Sequence, residues 1–239
     1  MPLPQLLLTR PAPEAARLAA ALQGRAEIVI SPLMRIVPLD PPDLSGAAGL
    51  ILTSPNALRA VPHLPALPCY VVGPRTAQAA EAAGGHVALV AEDAETLLAG
   101  LTARPSAGPL WHLRGEHARG DVAGRLRAAG MTVEERILYR QEATELSAAA
   151  LDVLRGSRPV VLPLYSPRSA QIFLSAAPGV RAPLHLVALS PAVAEAAQVG
   201  GASWASVTVA ARPEGDAMRR ATEGRLDAVA RLEAGRRGV

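Results

Sequence analysis

Several short motifs place a hydroxyl residue, a glycine or an arginine directly after an apolar run of the sequence. They are Thr9-Arg10-Pro11, Ser54-Pro55-Asn56, Gly73-Pro74-Arg75-Thr76, Arg114-Gly115, Ser166-Pro167-Arg168 and Ser190-Pro191. The fixed φ of proline suits the first turn of a helix, so most of these motifs predict a helix that begins where a strand ends. Helix N-termini and guanidinium groups both bind anions, so the whole set favours a ligand with several carboxylates. Any one motif alone indicates only an ordinary helix cap or a surface ion pair.

The patterns of nucleophilic, metal-dependent and nucleotide-dependent enzymes are missing from the sequence. All 24 basic residues are arginine, which excludes Schiff-base chemistry and a Walker A lysine. The serines that follow apolar runs lack the flanking glycines of a nucleophile elbow. His112 and His117 flank Arg114 at a spacing unlike that of a helical metal pair, and the nearby glycines do not form a dinucleotide fingerprint. We therefore expect an anion-binding site without a metal or another cofactor.

The composition indicates a globular protein. Hydrophobic residues make up 50% and charged residues 19% of the 239 residues, which is enough apolar surface to build a core. A formal net charge of +3, evenly spread, does not predict a nucleic-acid surface. The single cysteine, Cys69, lies in an apolar run and is interpreted as a packing residue. The N-terminus has no basic leader, and no apolar run reaches the roughly 20 residues of a membrane span, so we expect a cytoplasmic protein.

Short apolar runs alternate with stretches of helical period along most of the chain. The runs span residues 5–9, 27–30, 50–53, 69–72, 87–90, 110–113, 132–135, 159–164, 185–189 and 206–209. This alternation is typical of βα units, and it predicts an α/β protein with parallel sheets. Two sheets of about five strands suit the chain length better than one sheet of about ten.

Two extended segments predict where the chain passes between domains. Residues 37–44 are rich in proline and cannot form a helix, and residues 137–141 form a second extended segment. They predict a discontinuous first domain of residues 1–34 plus 141–239 and a second domain of residues 38–136, with linker strands at 35–39 and 136–141. The two halves also repeat their motifs in the same order. Residues 52–57 correspond to 164–170, and residues 71–77 correspond to 188–194.

The order of the motifs resembles that of uroporphyrinogen-III synthases. The shared motifs are Leu8-Thr9-Arg10-Pro11, Ile51-Leu52-Thr53-Ser54-Pro55-Asn56-Ala57, Val72-Gly73-Pro74-Arg75-Thr76-Ala77 with Gly84-Gly85, Leu113-Arg114-Gly115, Leu138-Tyr139-Arg140 and Tyr165-Ser166-Pro167-Arg168. The resemblance implies two flavodoxin-like parallel-sheet domains joined by a two-stranded β linker. The chain departs from the family at Tyr165, where a small or hydroxyl residue is usual, and at Val193, which replaces a frequent threonine.

The resemblance also implies a lyase of porphyrin, tetrapyrrole and heme biosynthesis. Its substrate would be hydroxymethylbilane, which loses its terminal hydroxyl and closes through a spiro intermediate that inverts ring D. The implied enzyme is a monomer without a cofactor, and no nucleic acid or membrane partner is expected. Residues of the strand-end motifs would bind the substrate carboxylates. They are Thr9, Arg10, Ser54, Asn56, Gly73, Thr76, Arg114, Gly115, Ser166, Arg168 and Ser190.

One residue carries an implied catalytic role. Tyr139 matches a tyrosine that is frequent at this place in the family, and its phenol could donate a proton or a hydrogen bond to the departing hydroxyl. The alternative is that Tyr139 is an amphipathic linker residue with a packed ring and a hydroxyl in water.

Two other classes of function fit the same sequence features. The first is a non-catalytic two-domain receptor for an anionic small molecule, although the missing secretion signal argues against an exported version. The second is a nucleotide-sugar transferase, which also has two α/β domains. An assay of bilane cyclisation separates the synthase from the receptor, and protection by a nucleotide in a thermal shift would favour the transferase.

Overall fold

Apolar runs form strands and the alanine- and leucine-rich stretches between them form helices, as the computed structural model describes for residues 3–118, 120–199 and 203–236. In chain order the elements are β1 (Gln5–Leu8), α1 (Ala12–Ala21), β2 (Glu27–Ile30), β3 (Met34–Pro38), β4 (Gly49–Leu52), β5 (Pro68–Val72), α2 (Pro74–Ala82), β6 (His86–Ala91), α3 (Ala94–Ala103), β7 (Leu110–Gly115), α4 (Val122–Ala128), β8 (Val133–Ala143), α5 (Ala148–Arg155), β9 (Val160–Leu164), α6 (Pro167–Ala176), β10 (Leu184–Ala188), α7 (Pro191–Gln198), β11 (Ser206–Val209) and α8 (Gly215–Arg236). A short 3₁₀ helix, Pro55–Arg59, lies between β4 and β5. None of the helices described is long and apolar enough to cross a membrane.

The chain divides into two compact units. Unit 1 consists of Met1–Arg35 and Ala143–Val239, and unit 2 consists of Ile36–Glu142. The chain passes from unit 1 to unit 2 within β3 and returns at the end of β8.

Unit 1 is built on a five-stranded sheet with the order β11-β10-β9-β1-β2. All four strand pairs are parallel. Numbered within the unit, the order is 2-1-3-4-5, which is the flavodoxin-like arrangement. The central strands β9 and β10 are buried along their whole length, as expected for strands covered by helices on both faces. The prediction of a parallel α/β fold is confirmed.

Helices cover both faces of the unit 1 sheet. On one face, residues of α5, α6 and α7 form a core around the buried ring of Phe173. On the other face, α1 and α8 form a second core that includes Met218 and Val229. Alanine, leucine and valine supply most of both cores, as the low aromatic content of 3% requires.

Unit 2 has a six-stranded sheet with the order β3-β8-β7-β4-β5-β6. The strands from β4 to β8 are parallel, and their order of 3-2-1-4-5 is also doubly wound. The 3₁₀ helix and α2 pack on one face, and α3 and α4 pack on the other. Strand β3 is the exception in direction. The N–H of Leu39 donates to the carbonyl of Leu138, and the N–H of Thr144 donates to the carbonyl of Leu33. Later residues of β3 therefore pair with earlier residues of β8, so the two strands are antiparallel.

A register shift between β7 and β8 brings Gly115 opposite Tyr139. A Cβ atom on Gly115 would lie 2.5 Å from two ring carbons of Tyr139, closer than side chains approach in folded proteins. The Tyr139 side chain is only 5% exposed and contributes to the core of unit 2. Glycine is therefore required at position 115 to admit the tyrosine ring.

We predict that Gly115→Ala lowers the free energy of unfolding by about 1–3 kcal/mol, because the added methyl group overpacks this contact. Gly224→Ala is the matched control. Gly224 lies in α8 with open space around its Cα, so this change should stabilise the protein by up to about 1 kcal/mol through helix propensity. Urea denaturation measures both values. Equal stability of Gly115→Ala and the parent protein would show that the Tyr139 ring moves aside without cost.

Candidate functional site

The residues that the sequence predicts for the site lie at the carboxyl ends of parallel strands in both units. In a doubly wound sheet, ligands bind outside this edge, at the point where the strand order reverses. That point falls between β1 and β9 in unit 1 and between β4 and β7 in unit 2. Each unit therefore presents its own candidate binding edge.

At the edge of unit 1, Thr9 and Arg10 follow β1 and Tyr165 follows β9. Thr9 is buried, whereas the guanidinium carbon of Arg10 lies 4.1 Å from the centroid of the Tyr165 ring. Burial raises the pKa of the Tyr165 phenol, and the charge of Arg10 opposes that rise. The aromatic ring holds the guanidinium in place at the strand ends through a cation–π contact. In the sequence, Tyr165 stands out only as a departure from the family pattern, which gives no signal of its contact with Arg10.

Two helices of unit 1 begin at the same edge. The Ser166 hydroxyl accepts the N–H of Ser169 at 3.0 Å, and the Ser169 hydroxyl accepts the N–H of Ser166 at 3.0 Å, so a capping box starts α6. Arg168 lies half-buried in the first turn of this helix. Ser190 precedes α7, and its side chain makes no capping hydrogen bond with that helix. Ser166 thus has a structural role, whereas the hydroxyl of Ser190 does not cap its helix.

At the edge of unit 2, Ser54 and Gly73 start the helical segments after β4 and β5. The Ser54 hydroxyl accepts the N–H of Asn56 at 3.3 Å and caps the 3₁₀ helix. Gly73 has a φ of +81°, which favours glycine, and α2 follows with Thr76 buried in its first turn. The positive end of the α2 dipole therefore lies at this edge.

Arg114, at the end of β7, forms an ion pair inside unit 2. Its Nε lies 2.6 Å from Oε1 of Glu135, and its Nη1 donates to the carbonyls of Gly115 and Glu116. Burial disfavours the charge of Glu135, but the hydrogen bond and charge of Arg114, together with Arg127, outweigh it and hold the pKa of Glu135 below its usual value. Arg114 therefore has a structural partner. The prediction that it also contacts the ligand stays a prediction.

His112 lies on the same face of β7 as Arg114 and is only 1% exposed. Its Nε2 is 3.3 Å from Oγ1 of Thr53, which follows β4. Burial, more than the nearby charges, lowers the pKa of His112 to about 4, so the imidazole is neutral near pH 7. Among the described residues, no group of three or more His, Cys, Asp or Glu side chains could hold a metal ion.

Tyr139 lies opposite Gly115, where its ring is packed and its backbone carbonyl accepts the N–H of Glu116 at 3.0 Å. The packed ring agrees with the structural interpretation of this residue, which lies in β8 beside the end of β7. Its catalytic role stays a prediction.

The two units thus define a doubly wound α/β protein with helix N-termini and arginines at the carboxyl edge of each sheet. A sequence model of the family described as uroporphyrinogen-III synthase HemD matches residues 15–220. The match spans both units, and the chain belongs to the uroporphyrinogen-III synthase family. The resemblance found in the motifs is confirmed.

Solved structures share the fold. The crystal structure of uroporphyrinogen-III synthetase from Helicobacter pylori matches with a TM-score of 0.66 and 16% identity, over 92% of this chain and 97% of that chain. A mutant uroporphyrinogen III synthase from Thermus thermophilus matches with a TM-score of 0.52 and 13% identity, over 95% of this chain and 99% of that chain. No protein of curated function matches the sequence significantly.

The depressed pKa of His112 predicts an acid-sensitive fold. An unfolded chain takes up this proton near pH 6.5, whereas the folded protein resists it down to about pH 4. The stability that neutral His112 contributes is fully present above about pH 6.5. As the pH falls towards 4, this contribution is lost and the free energy of unfolding decreases by about 3 kcal/mol.

His112→Gln removes this titration and is the matched variant. Urea denaturation at pH 7 and pH 4.5 should show a smaller loss of stability in His112→Gln than in the parent protein. The Glu135 carboxylate also loses stabilisation in acid, and because its partners Arg114 and Arg127 are present in both proteins, most of that loss is common to both. Equal losses would mean that His112 titrates normally.

Proposed function

We propose that this chain is a uroporphyrinogen-III synthase. It converts hydroxymethylbilane into uroporphyrinogen III, with loss of water and inversion of ring D, and acts as a lyase in tetrapyrrole and heme biosynthesis. The observation that carries the proposal is the family match over residues 15–220 of 239, which covers the strand-end motifs of both units from Ser54 to Ser190.

The carboxyl edge of each sheet binds substrate carboxylates in this proposal. The N-termini of α2, α6 and α7 offer backbone N–H groups, and neither Gly73 nor Ser190 caps its helix with a side-chain hydrogen bond. Arg10, stacked on Tyr165, offers a positioned guanidinium that can form two hydrogen bonds with one carboxylate. Among the other predicted contacts, Thr9 precedes Arg10, Thr76 lies in the first turn of α2 and Arg168 lies in the first turn of α6. Ser54 and Asn56 lie at the start of the 3₁₀ helix.

The chemistry requires orientation more than a strong acid or base. Hydroxymethylbilane closes without inversion in solution, so the enzyme must hold the conformation in which ring D is attacked at its substituted carbon. Holding two reacting groups of one molecule in place can supply most of the rate advantage of a cyclisation. This fits a site composed of backbone donors, hydroxyl groups and arginines.

The test is the isomer ratio of the product. Purified protein is incubated with hydroxymethylbilane, the product is oxidised, and the type III and type I porphyrins are separated. The proposal predicts mainly type III, and mainly type I in a parallel incubation without protein. A type I product at the uncatalysed rate in both incubations would refute the proposed function.

We predict that Arg10→Ala raises KM for hydroxymethylbilane and makes KM less sensitive to salt. A guanidinium at an accessible edge attracts a polycarboxylate through charge that is screened over about 8–10 Å at moderate ionic strength. Arg231→Ala is the control, because it removes the same charge from the last part of α8. If KM at low salt is the same for Arg10→Ala and Arg231→Ala, the contact of Arg10 with Tyr165 is only structural.

We also predict that Tyr139→Phe lowers kcat at least tenfold, or about 1.4 kcal/mol of barrier, with stability nearly unchanged. The substitution keeps the packed ring and removes only the hydroxyl that donates to the departing group. Tyr70→Phe makes the same change within β5 and should leave kcat unaltered. Type III formation by Tyr139→Phe at the parent rate would leave this tyrosine a packing residue.

A further inference from the structure

The contact between Thr53 and His112 has a defined place in unit 2. Thr53 follows β4 and His112 lies in β7, and these two strands pair at the point where the strand order reverses. His112 pairs with Ile51, and Thr53 lies two residues further along on the same face. The buried imidazole thus lies beneath a half-buried hydroxyl at the candidate binding edge.

The surroundings of His112 determine which ring nitrogen carries the proton. Nδ1 is buried and has no hydrogen-bond partner within residues 3–118, 120–199 and 203–236. A neutral imidazole has one N–H group and one acceptor nitrogen. An N–H group on Nδ1 would be a buried donor without a partner. Buried donors without a partner are rarer in folded proteins, and cost more free energy, than buried acceptors without a partner. The proton therefore belongs on Nε2, which donates to Oγ1 of Thr53.

This tautomer fixes the direction of the Thr53 hydroxyl. An oxygen that accepts from His112 must direct its own O–H elsewhere, so Thr53 presents its donor to the surroundings and keeps one acceptor lone pair. The opposite tautomer would turn the threonine proton towards the imidazole and remove that donor. A hydroxyl donor suits an anionic group, and a neighbouring imidazole that stays neutral keeps this arrangement across the physiological pH range.

We propose that His112 is a positioning residue for substrate binding, which orients the Thr53 hydroxyl as a hydrogen-bond donor to a carboxylate of the substrate. The inference rests on the proposed function for the identity of the substrate. It adds Thr53 as a substrate contact, and His112 as the residue that positions it, to the contacts predicted from the sequence. His112 acts through Thr53 and does not contact the reacting atoms.

Steady-state kinetics with hydroxymethylbilane provides the first test. His112→Leu and Thr53→Val should each raise KM roughly three- to tenfold, the effect of one hydrogen bond, with a smaller change in kcat. Because both changes remove the same donor, the double variant should be no worse than either single variant. Thr53→Ser and His112→Gln keep a hydroxyl and an amide donor, and each should restore most of the binding. Independent, additive effects of His112→Leu and Thr53→Val on KM would overturn the proposal.

Nitrogen-15 NMR of the histidine side chains provides a second test, which is made on the parent protein without substrate. The His112→Gln spectrum serves only to assign the His112 signals. The proposal predicts a protonated Nε2 and an unprotonated Nδ1 for His112 at pH 7 in the unliganded protein. A proton on Nδ1 would overturn it. Failure of the parent protein to form type III product would refute the synthase function separately, because the tautomer is measured without substrate.

Discussion

Parallel strand pairing is the constraint on which the rest of this structure depends. In each unit, parallel pairing brings the carboxyl ends of the central strands to one edge, and the helices that follow begin there. Motifs separated by more than 100 residues, such as Thr9 with Ser166, thereby reach the same sheet edge. The buried apolar residues of each sheet stabilise this arrangement and take no part in the chemistry. A site for a polycarboxylate then needs only suitable residues at positions that the fold already gathers.

The charges of unit 2 show how the fold constrains the side chains near such an edge. Arg114 is held by Glu135, and Arg127 lies 3.4 Å from the same carboxylate. His112 lies in β7 near these charged side chains. Its imidazole stays neutral because burial lowers the pKa of His112 by more than the attraction of Glu135 raises it. In unit 1, the guanidinium of Arg10 lies against the Tyr165 ring, and no ion pair of Arg10 is found among the described residues. The ring contact does not neutralise its charge. These partners distinguish an arginine held by an aromatic ring from one that is ion-paired within its own sheet.

The strands and their parallel arrangement could be predicted from the sequence, because apolar runs separated by helical stretches have few alternative folds. The strand-end motifs were equally visible, since proline after a hydroxyl residue or glycine marks a helix start. Side-chain partners could not be predicted in the same way. The pairing of Arg114 with Glu135, the stacking of Arg10 on Tyr165 and the packing of Tyr139 on Gly115 depend on strand register, and the shift between β7 and β8 leaves no signal in the local sequence.

Backbone amide NMR during titration with uroporphyrinogen III tests the central claim, that the carboxyl edges of the sheets bind the tetrapyrrole carboxylates. The account predicts the largest shift changes in the first turns of α2, α6 and α7 and at residues 53–56 and 115–116. Signals from the opposite ends of the strands, such as Gly49 and His86, should change little. Changes concentrated at those opposite ends, with the helix starts unaffected, would contradict the account.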